Sequence, residues 1–233
     1  MKTNLPQKVL LSATVIGLLA FVHFGNIGKD DMLWCAIQNY GHVPLFAVLA
    51  AVLFHLVRSI APIRPGFLYP LVFGLTMMLG LVSEVLQIAG PREAELSDLF
   101  SDAFGAGAAL LFHVSRDRRV ALAPGAWKGT VVAASALLLL PLASVAVAGI
   151  TLARRNARFP VLCSFETVWE MRTLTTNALE IRRVKRPPEW DAAAGEYVGE
   201  ARFHRGDTWP GFSLFKPYPD WRGYRTFAFE VYS

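Results

Sequence analysis

The sequence predicts an all-α membrane bundle of about five transmembrane helices, followed by a small antiparallel β-sandwich domain that we expect to be incomplete. Three observations support this fold class. The 233-residue chain is 54% hydrophobic, whereas soluble domains are typically about 45–50% apolar. Residues 1–152 carry only ten Lys/Arg and eight Asp/Glu, against thirteen and ten in residues 153–233. Short strand-like runs separated by turn residues follow that change in composition.

Five apolar runs approach the length of about 20 residues that a helix needs to cross about 30 Å of hydrocarbon. The fourth run is short and is interrupted by Asp102, and the fifth contains Pro141, which predicts a kink. The predicted spans are residues 9–24, 42–58, 67–88, 98–114 and 130–152. We therefore expect a transmembrane domain over residues 1–153 and an extracytoplasmic β-rich domain over residues 154–233.

The basic residues predict the direction of the spans, because they collect in cytoplasmic loops. With the N-terminus inside, the outside loops of the membrane part hold two basic residues, Lys29 and Arg92. The inside segments then hold eight, namely Lys2, Lys8, Arg58, Arg64, Arg116, Arg118, Arg119 and Lys128. A cleaved signal peptide is the alternative for the first span, but no small-x-small site follows it. The sequence therefore predicts an uncleaved anchor, an inside N-terminus and an outside C-terminal domain.

Several classes of function find no support in the sequence. The net charge of +5 is spread over both parts of the chain, which does not suggest nucleic-acid binding. No HExxH, CxxC, GxSxG or phosphate-cradling Gly motif occurs, so we predict neither a metal nor another cofactor.

His23, His55 and His113 are expected to be packing residues. Cys35 and Cys163 both lie outside on this topology, where a disulfide can persist, although chance co-location is slightly favoured.

The segment between the third and fourth spans, SEVLQIAGPREAELSDLFSDAFGAG, carries the most chemistry. Glu84 and Gln87 are three residues apart at the outer end of one span. Asp98 and Asp102 are four apart at the outer start of the next, so each pair lies on one helix face. Arg92 lies in the connection between them. If the two helices pack as a hairpin, these polar side chains converge near the outer membrane face.

Acidic residues inside a span cost about 2.5–3.5 kcal/mol at mid-depth on insertion scales, which favours a functional role for this cluster. A structural role is the alternative, since Asp98 or Ser97 can cap a helix and Glu84 can pair with Arg92. Asp102 is the hardest to explain structurally, because it lies about one turn inside an apolar helix. Small residues on that helix permit close packing, namely Ala103, Gly105, Gly107 and Ala109.

This region resembles the VanZ-like family of small bacterial membrane proteins over about residues 8–115. The family pattern is Glu-x-x-Gln, an Arg a few residues on, and Asp-x-x-x-Asn-x-x-Gly at the next helix. The matching residues are Glu84, Gln87, Arg92, Asp98 and Gly105. His42 fits the place of a His that opens an earlier span in the family. The chain departs from the pattern at Asp102, where the family usually has Asn, and at Gln38-Asn39, which replace Asp-Lys.

The resemblance implies a multi-pass protein of the bacterial cytoplasmic (inner) membrane, with a cell-envelope role related to glycopeptide resistance, and it supplies no reaction. We favour non-enzymatic recognition of a lipid or glycan head group at the outer face. The alternatives are an enzyme acting on a lipid-linked glycan through Glu84 or Asp98, and a proton- or ion-coupled carrier that uses Asp102. The expected partners are membrane lipids and a cell-wall or lipid-linked glycan. The predicted ligand-binding residues are His42, Glu84, Gln87, Arg92, Asp98 and Asp102.

The C-terminal region contains strand-like runs at residues 178–185, 196–204, 212–215 and 224–232. The last run alternates in a way that predicts a half-buried strand. The WPGFSL and DWRGYRTFAFEVYS segments loosely resemble galactose-binding-type carbohydrate-binding modules. That resemblance implies stacking of sugar rings on aromatic side chains, and core packing is the alternative, favoured for Trp221. The candidates are Trp190, Trp209, Tyr218 and Trp221, with Trp209, Tyr218 and Trp221 retained as the predicted carbohydrate-binding residues.

Overall fold

The computed structural model describes residues 13–14, 17, 32–88, 96–190, 195–203, 209–214 and 221–231, without the side chains of residues 87, 88 and 96. The first predicted span, residues 9–24, therefore lies almost entirely outside the described residues. Contacts divide the chain into two compact units. The first comprises residues 1–29 and 34–146, and the second comprises residues 30–33 and 147–233.

The fold is mostly helical. Its long helices are α1 (Met32–Ile60), α2 (Pro65–Ile88), α3 (Leu96–Arg116), α4 (Ala126–Leu139) and α5 (Leu142–Arg158). Among the described residues, three helical stretches are long and apolar enough to cross a membrane: Met32–Ile60, Pro65–Leu86 and Ala126–Arg158. The fourth predicted span is helical, as α3, but is not among these three stretches. Asp98 and Asp102 lower its hydropathy, so its crossing of the membrane stays a prediction.

The fifth predicted span is interrupted at Pro141, as expected. Helix α4 ends at Leu139 and α5 begins at Leu142, because proline has no N–H to continue the helical hydrogen bonds. Leu140 still donates its backbone N–H to the carbonyl of Ala136, at 2.8 Å. Helix α5 then continues to Arg158, past the predicted end at residue 152. The predicted span is therefore interrupted at Pro141, its bend stays a prediction, and α5 ends later than predicted.

Helices α1, α2 and α3 share one apolar core. Its fully or nearly buried members are Phe46, Leu49, Ala50, Leu53, Phe54, Leu68, Val72, Ala106 and Leu110. Many large apolar side chains on these same helices face outward instead, for example Phe67 at 73% exposure and Phe100 at 69%. An apolar surface of this extent suits lipid better than water.

Two glycines allow the three helices to approach closely around their polar residues. A Cβ atom on Gly105 of α3 would overlap the backbone carbonyl oxygen of Val43 on α1. A Cβ atom on Gly80 of α2 would lie 2.6 Å from Oδ2 of Asp102 and 3.2 Å from the ring of Phe46. Small residues at such positions let helix backbones come together. The approach brings His42, next to Val43, against the start of α3.

The described part of the second unit contains most of α5, a short helix and four strands. These are α6 (Val168–Met171), β1 (Leu174–Asn177), β2 (Leu179–Lys185), β3 (Tyr197–Phe203) and β4 (Gly211–Leu214). Strand β1 pairs with β4 in one antiparallel sheet, and β2 pairs with β3 in another. The predicted small antiparallel β region is therefore confirmed at this level, and its identity as a sandwich stays a prediction.

The predicted strand at residues 224–232 is wrong. Residues 224–231 have no regular secondary structure, and all of their side chains are exposed. Phe227 is 64% and Phe229 is 75% exposed, so neither face of the alternating pattern is buried. A strand must pair its backbone N–H and C=O groups, and none of the four described strands pairs with this segment.

Candidate functional site

The imidazole ring of His42 lies between two carboxylates of α3. Its Nδ1 atom is 2.9 Å from Oδ1 of Asp102, and its Nε2 atom is 3.5 Å from Oδ2 of Asp98. The two aspartates are four residues apart, so their side chains project from the same face of α3. All three residues are buried, with 5% of His42, 3% of Asp98 and 1% of Asp102 exposed. We call these three residues the His–Asp cluster.

The orientation of the His42 ring is fixed by its neighbours. Phe46 lies one helical turn further along α1, and the two rings stack with centroids 6.1 Å apart and planes 6° apart. Phe46 in turn packs close to Gly80 of α2. The ring is thus held by an aromatic neighbour on its own helix and by carboxylates at both nitrogens. Only a doubly protonated imidazolium can donate hydrogen bonds to both sides.

Helix α2 contributes a polar face to the same region. Thr76, Gly80 and Glu84 are spaced by four residues and so share one face, and Gly80 adjoins Asp102. Glu84 is 8% exposed, and Ser83 beside it is also buried. Within the described part of the chain, the Ser83 hydroxyl has no hydrogen-bond partner. The four-residue spacing was the sequence signal for this face, and Glu84 was its only member among the predicted site residues.

The structure brings three of the six predicted ligand-binding residues into direct proximity: His42, Asp98 and Asp102. It buries a fourth, Glu84. The side chain of Gln87 and the whole of Arg92 lie outside the described residues. Among the described residues, no group of three or more His, Cys, Asp or Glu side chains is arranged to hold a metal ion. The arrangement can accept hydrogen bonds or exchange a proton through His42.

The opposite end of the three-helix core is aromatic and basic. The His55 and His113 rings meet edge to face at 5.2 Å, and Phe54 stacks on His113 at 4.5 Å. Just after α3, the Arg119 guanidinium donates hydrogen bonds to Asp117, with Nη2 and Oδ2 2.8 Å apart. These contacts agree with a packing role for His55 and His113, while His23 lies outside the described residues.

The predicted aromatic residues of the second unit differ in environment. Trp209 is 88% exposed, and its backbone carbonyl accepts a hydrogen bond from Asn177 at 3.1 Å. Trp221 is 37% exposed and contacts Phe159 edge to face at 5.6 Å. Trp190 is half-buried, whereas Tyr218 lies outside the described residues. Trp209 is thus accessible to a ligand, and Trp221 has a packing contact.

Glu170 accepts several hydrogen bonds within the second unit and was not among the predicted site residues. Its Oε1 atom accepts hydrogen bonds from Arg158 at 2.5 Å and from the Ser164 hydroxyl at 2.9 Å. Its Oε2 atom accepts one from the Thr167 backbone N–H at 3.0 Å. The Thr-x-x-Glu spacing is a capping-box signature and could have identified this residue.

The two cysteines, Cys35 and Cys163, are half-buried thiols, and burial raises the pKa of Cys163.

No family model matches the chain, and no match exists among the curated proteins or the solved structures compared with it. The resemblances to VanZ-like proteins and to carbohydrate-binding modules therefore stay predictions from motifs.

Proposed function

We propose that the chain is an integral protein of the bacterial cytoplasmic membrane that binds the polar head group of a lipid or lipid-linked glycan at the outer face. The observation that carries the proposal is the His42 ring held between Asp98 and Asp102, with Glu84 buried on α2. Ionisable groups in such an apolar bundle are costly to retain, and this favours a functional role.

The donors and acceptors of the cluster favour one class of ligand. Ionised carboxylates accept hydrogen bonds and cannot donate them. Among the described residues of the cluster and α2, the carboxylates of Asp98, Asp102 and Glu84 outnumber the one group that can become positive, His42. Sugar hydroxyls or an amine supply the donors that such a site needs, whereas a phosphate would be repelled. We therefore infer that the ligand enters through its hydroxyl or amine groups.

The motif match to VanZ-like proteins supports a cell-envelope role and a relation to glycopeptide resistance, as part of the same proposal. In the orientation with the N-terminus inside, the end of α2 and the start of α3 face outward. The second unit is then extracytoplasmic. Its exposed Trp209 is a suitable platform for stacking on a sugar ring, so the second unit would add glycan contacts.

Lipid retention tests the proposal. The full chain is purified from bacterial membranes in mild detergent, and the retained lipids are identified by mass spectrometry. Asp98→Asn removes one acceptor charge from the cluster. Glu200→Gln is the control, because it removes the same charge at an exposed ion pair on β3 of the second unit. Thermal unfolding of every sample separates a lost ligand from a lost fold.

The wild type should enrich one lipid class with hydroxyl or amine groups in its head group. Asp98→Asn should reduce that enrichment about tenfold, since a hydrogen bond to a charged group contributes about 1.5–3 kcal/mol. Glu200→Gln should retain the lipid like the wild type. Equal retention by a folded Asp98→Asn protein would refute the proposal.

An enzyme is the second candidate, and the short contact between His42 and Asp102 favours it. A carboxylate on one imidazole nitrogen orients the ring as a general base, and the other nitrogen faces Asp98. Glu84 or Asp98 would then act as the acid or base on a lipid-linked glycan. Release of free glycan by the wild type but not by His42→Gln would support catalysis. Binding of the glycan without release would support recognition alone.

A further inference from the structure

The hydroxyl group of Ser83 on α2 is buried without a hydrogen-bond partner in the part of the chain that the structure describes. Only 7% of the residue is exposed. Thr76 on the same helix donates to the backbone carbonyl of Val72, at 2.8 Å. Ser115 on α3 donates likewise to the carbonyl of Phe112, at 2.7 Å. Such bonds commonly satisfy a serine or threonine within a helix. Ser83 forms none, so its donor is left for a ligand.

Contacts between α2 and α3 define the level of this hydroxyl along the helices. Near one end of the pair, the Tyr69 hydroxyl donates to Asp117 at 3.2 Å. Further along α2, Gly80 adjoins Asp102, which precedes Asp117 in the chain. The two helices therefore run antiparallel. One turn beyond Gly80 on α2 lies beside the turn of α3 that precedes Asp102, and that turn carries Asp98.

Ser83 and Glu84 lie on this next turn of α2, and both face the protein interior. At about 100° per residue, Ser83 lies about 60° to one side of Gly80 around the helix axis and Glu84 about 40° to the other. The two residues are 7% and 8% exposed, whereas Val82 and Val85 beside them are 48% and 56% exposed. The buried hydroxyl and the buried carboxylate therefore flank the direction in which Gly80 meets the His–Asp cluster.

We propose that Ser83 is a ligand-binding residue of this site and that it selects a neutral head group with hydroxyls over an amine. This inference rests on the proposed function, which leaves hydroxyl and amine ligands open. A ligand hydroxyl can donate its proton to a carboxylate and accept the Ser83 proton at the same oxygen. An ammonium group only donates, so it leaves the Ser83 proton without an acceptor. A sugar or glycerol group supplies both functions.

The charge of an amine does not reverse this preference. Burial of an ammonium group costs much more free energy than burial of a hydroxyl. His42 can itself supply a positive charge between Asp98 and Asp102, so a ligand can bind there without carrying one. A site with a buried hydrogen-bonding group also rejects a ligand that leaves that group unpaired.

Native mass spectrometry of the full, delipidated chain tests the choice between the two ligand chemistries. The probes are glucosyl dioleoylglycerol, dioleoyl phosphatidylethanolamine and dioleoyl phosphatidylcholine, which share their acyl chains and carry no net charge at neutral pH. Their head groups offer hydroxyls, an ammonium group and no hydrogen-bond donor, respectively. The variants are Ser83→Ala and Asp98→Asn. Ser135→Ala on α4 is the control, because it makes the same substitution at an exposed helical position.

The wild type should bind the glucosyl lipid more tightly than phosphatidylethanolamine, and phosphatidylcholine least tightly. Ser83→Ala should bind the glucosyl lipid about fivefold more weakly, as expected for the loss of one hydrogen bond between neutral groups. Its binding of phosphatidylethanolamine should not change. Ser135→Ala should bind all three lipids like the wild type. Without lipid, Ser83→Ala should unfold about 2–4 °C above Ser135→Ala, because an unsatisfied buried hydroxyl has been removed.

The wild type alone can overturn the choice of ligand, if it binds phosphatidylethanolamine as tightly as the glucosyl lipid. An unchanged lipid preference in a folded Ser83→Ala protein would overturn the role of Ser83. If Asp98→Asn still weakened binding in that case, the proposed function would stand. Equal binding of all three lipids by the wild type would refute both. A lower unfolding midpoint for lipid-free Ser83→Ala than for Ser135→Ala would show that the hydroxyl serves the fold, which would also overturn the inference.

Discussion

The Nδ1 atom of His42 lies 2.9 Å from Oδ1 of Asp102, although 60 positions separate the two residues in the sequence. The contact joins α1 to α3 and depends on the close approach of backbones at Gly105. It also places Asp102 against Gly80 of α2. Asp102 therefore has two possible roles: it packs where three helices meet, and it supplies a charge to the candidate site. Substitutions can distinguish these roles.

Substitution of Asp102 distinguishes a role for its charge from a role for its shape. Asp102→Asn keeps the size and the hydrogen-bonding capacity of the side chain, so we expect its unfolding free energy to change by less than about 1 kcal/mol. Lipid retention should nevertheless fall, because the charge is lost. Asp102→Leu removes the bond to His42 and adds volume beside Gly80, which should cost about 2–4 kcal/mol.

Thermal unfolding in detergent and lipid retention measure both effects of the Asp102 substitutions on the same samples. If Asp102→Leu matched the wild type in both, Asp102 would be neither a structural contact nor a part of the site.

Gly105 should tolerate no side chain. An added Cβ would meet the backbone carbonyl of Val43, and a backbone group moves less easily than the tip of a side chain. Gly105→Ala should therefore lower membrane yield and thermal stability, even though alanine is favoured over glycine in a helix by about 1 kcal/mol. Gly74→Ala is the control, because a Cβ atom at that position would meet nothing within 4 Å. Equal stability of the two variants would contradict the helix packing described above.

Topology can be measured directly. A phosphatase fused after Ser233 should be active, because five spans starting from an inside N-terminus place the C-terminus outside. Fluorescence of a cytoplasmic reporter at the same position, with a silent phosphatase, would refute the five-span arrangement. The test matters because Arg154, Arg155 and Arg158 continue α5 and would be basic residues on the outer side. They add three positive charges to the outer side, and the fusion therefore tests the charge-based orientation independently.

The ionised carboxylate of Asp117 should make the free energy of unfolding depend on pH. Hydrogen bonds from Arg119, followed by one from Tyr69, hold the pKa of Asp117 well below its usual range. A carboxylate whose folded-state pKa is lowered stabilises the fold above its unfolded pKa, about 3.9. That stabilisation is lost as the pH falls through the folded-state pKa.

Asp117→Asn should therefore destabilise the protein most near pH 7, and the difference from the wild type should shrink below about pH 4. Unfolding midpoints between pH 3 and pH 7 check this. Glu200→Gln is the control, since it alters an exposed ion pair with Arg202, and such pairs contribute little. A difference for Asp117→Asn that stayed constant with pH would contradict the role of the ionised carboxylate.

Local patterns predicted much of the fold, because apolar run length and proline chemistry act over short distances. The helical stretches and the break at Pro141 follow from such patterns. Strand β2 begins one residue later than predicted because Ala178 has a positive φ of 54°. The alternation in residues 224–232 misled the prediction, since a strand also requires a pairing partner, and the alternation says nothing about one.

The site was predicted less completely, because its contacts depend on which helix faces which. The spacing of Asp98 and Asp102 predicted that they share a face. His42 was predicted to join this site because it lies on the same side of the membrane, whereas its contacts with both aspartates depend on the packing of α1 against α3. An isolated glycine such as Gly80 carries no sequence signal for a close contact with Asp102. The hydrogen bonds of Glu170 follow from the Thr167-x-x-Glu170 capping box, a local signal that could have identified this residue.

Ligand protection of individual carboxylates tests the central claim most directly. Dicyclohexylcarbodiimide is apolar and modifies carboxyl groups within the membrane, and peptide mass spectrometry can follow each site on the delipidated chain. If the His–Asp cluster binds a head group, an extract of envelope lipids should slow labelling of Asp98 and Asp102 by about tenfold, as expected for an occupied site. Equal labelling rates at Asp98 and Asp102 with and without the extract, while the protein retains lipid, would contradict the account.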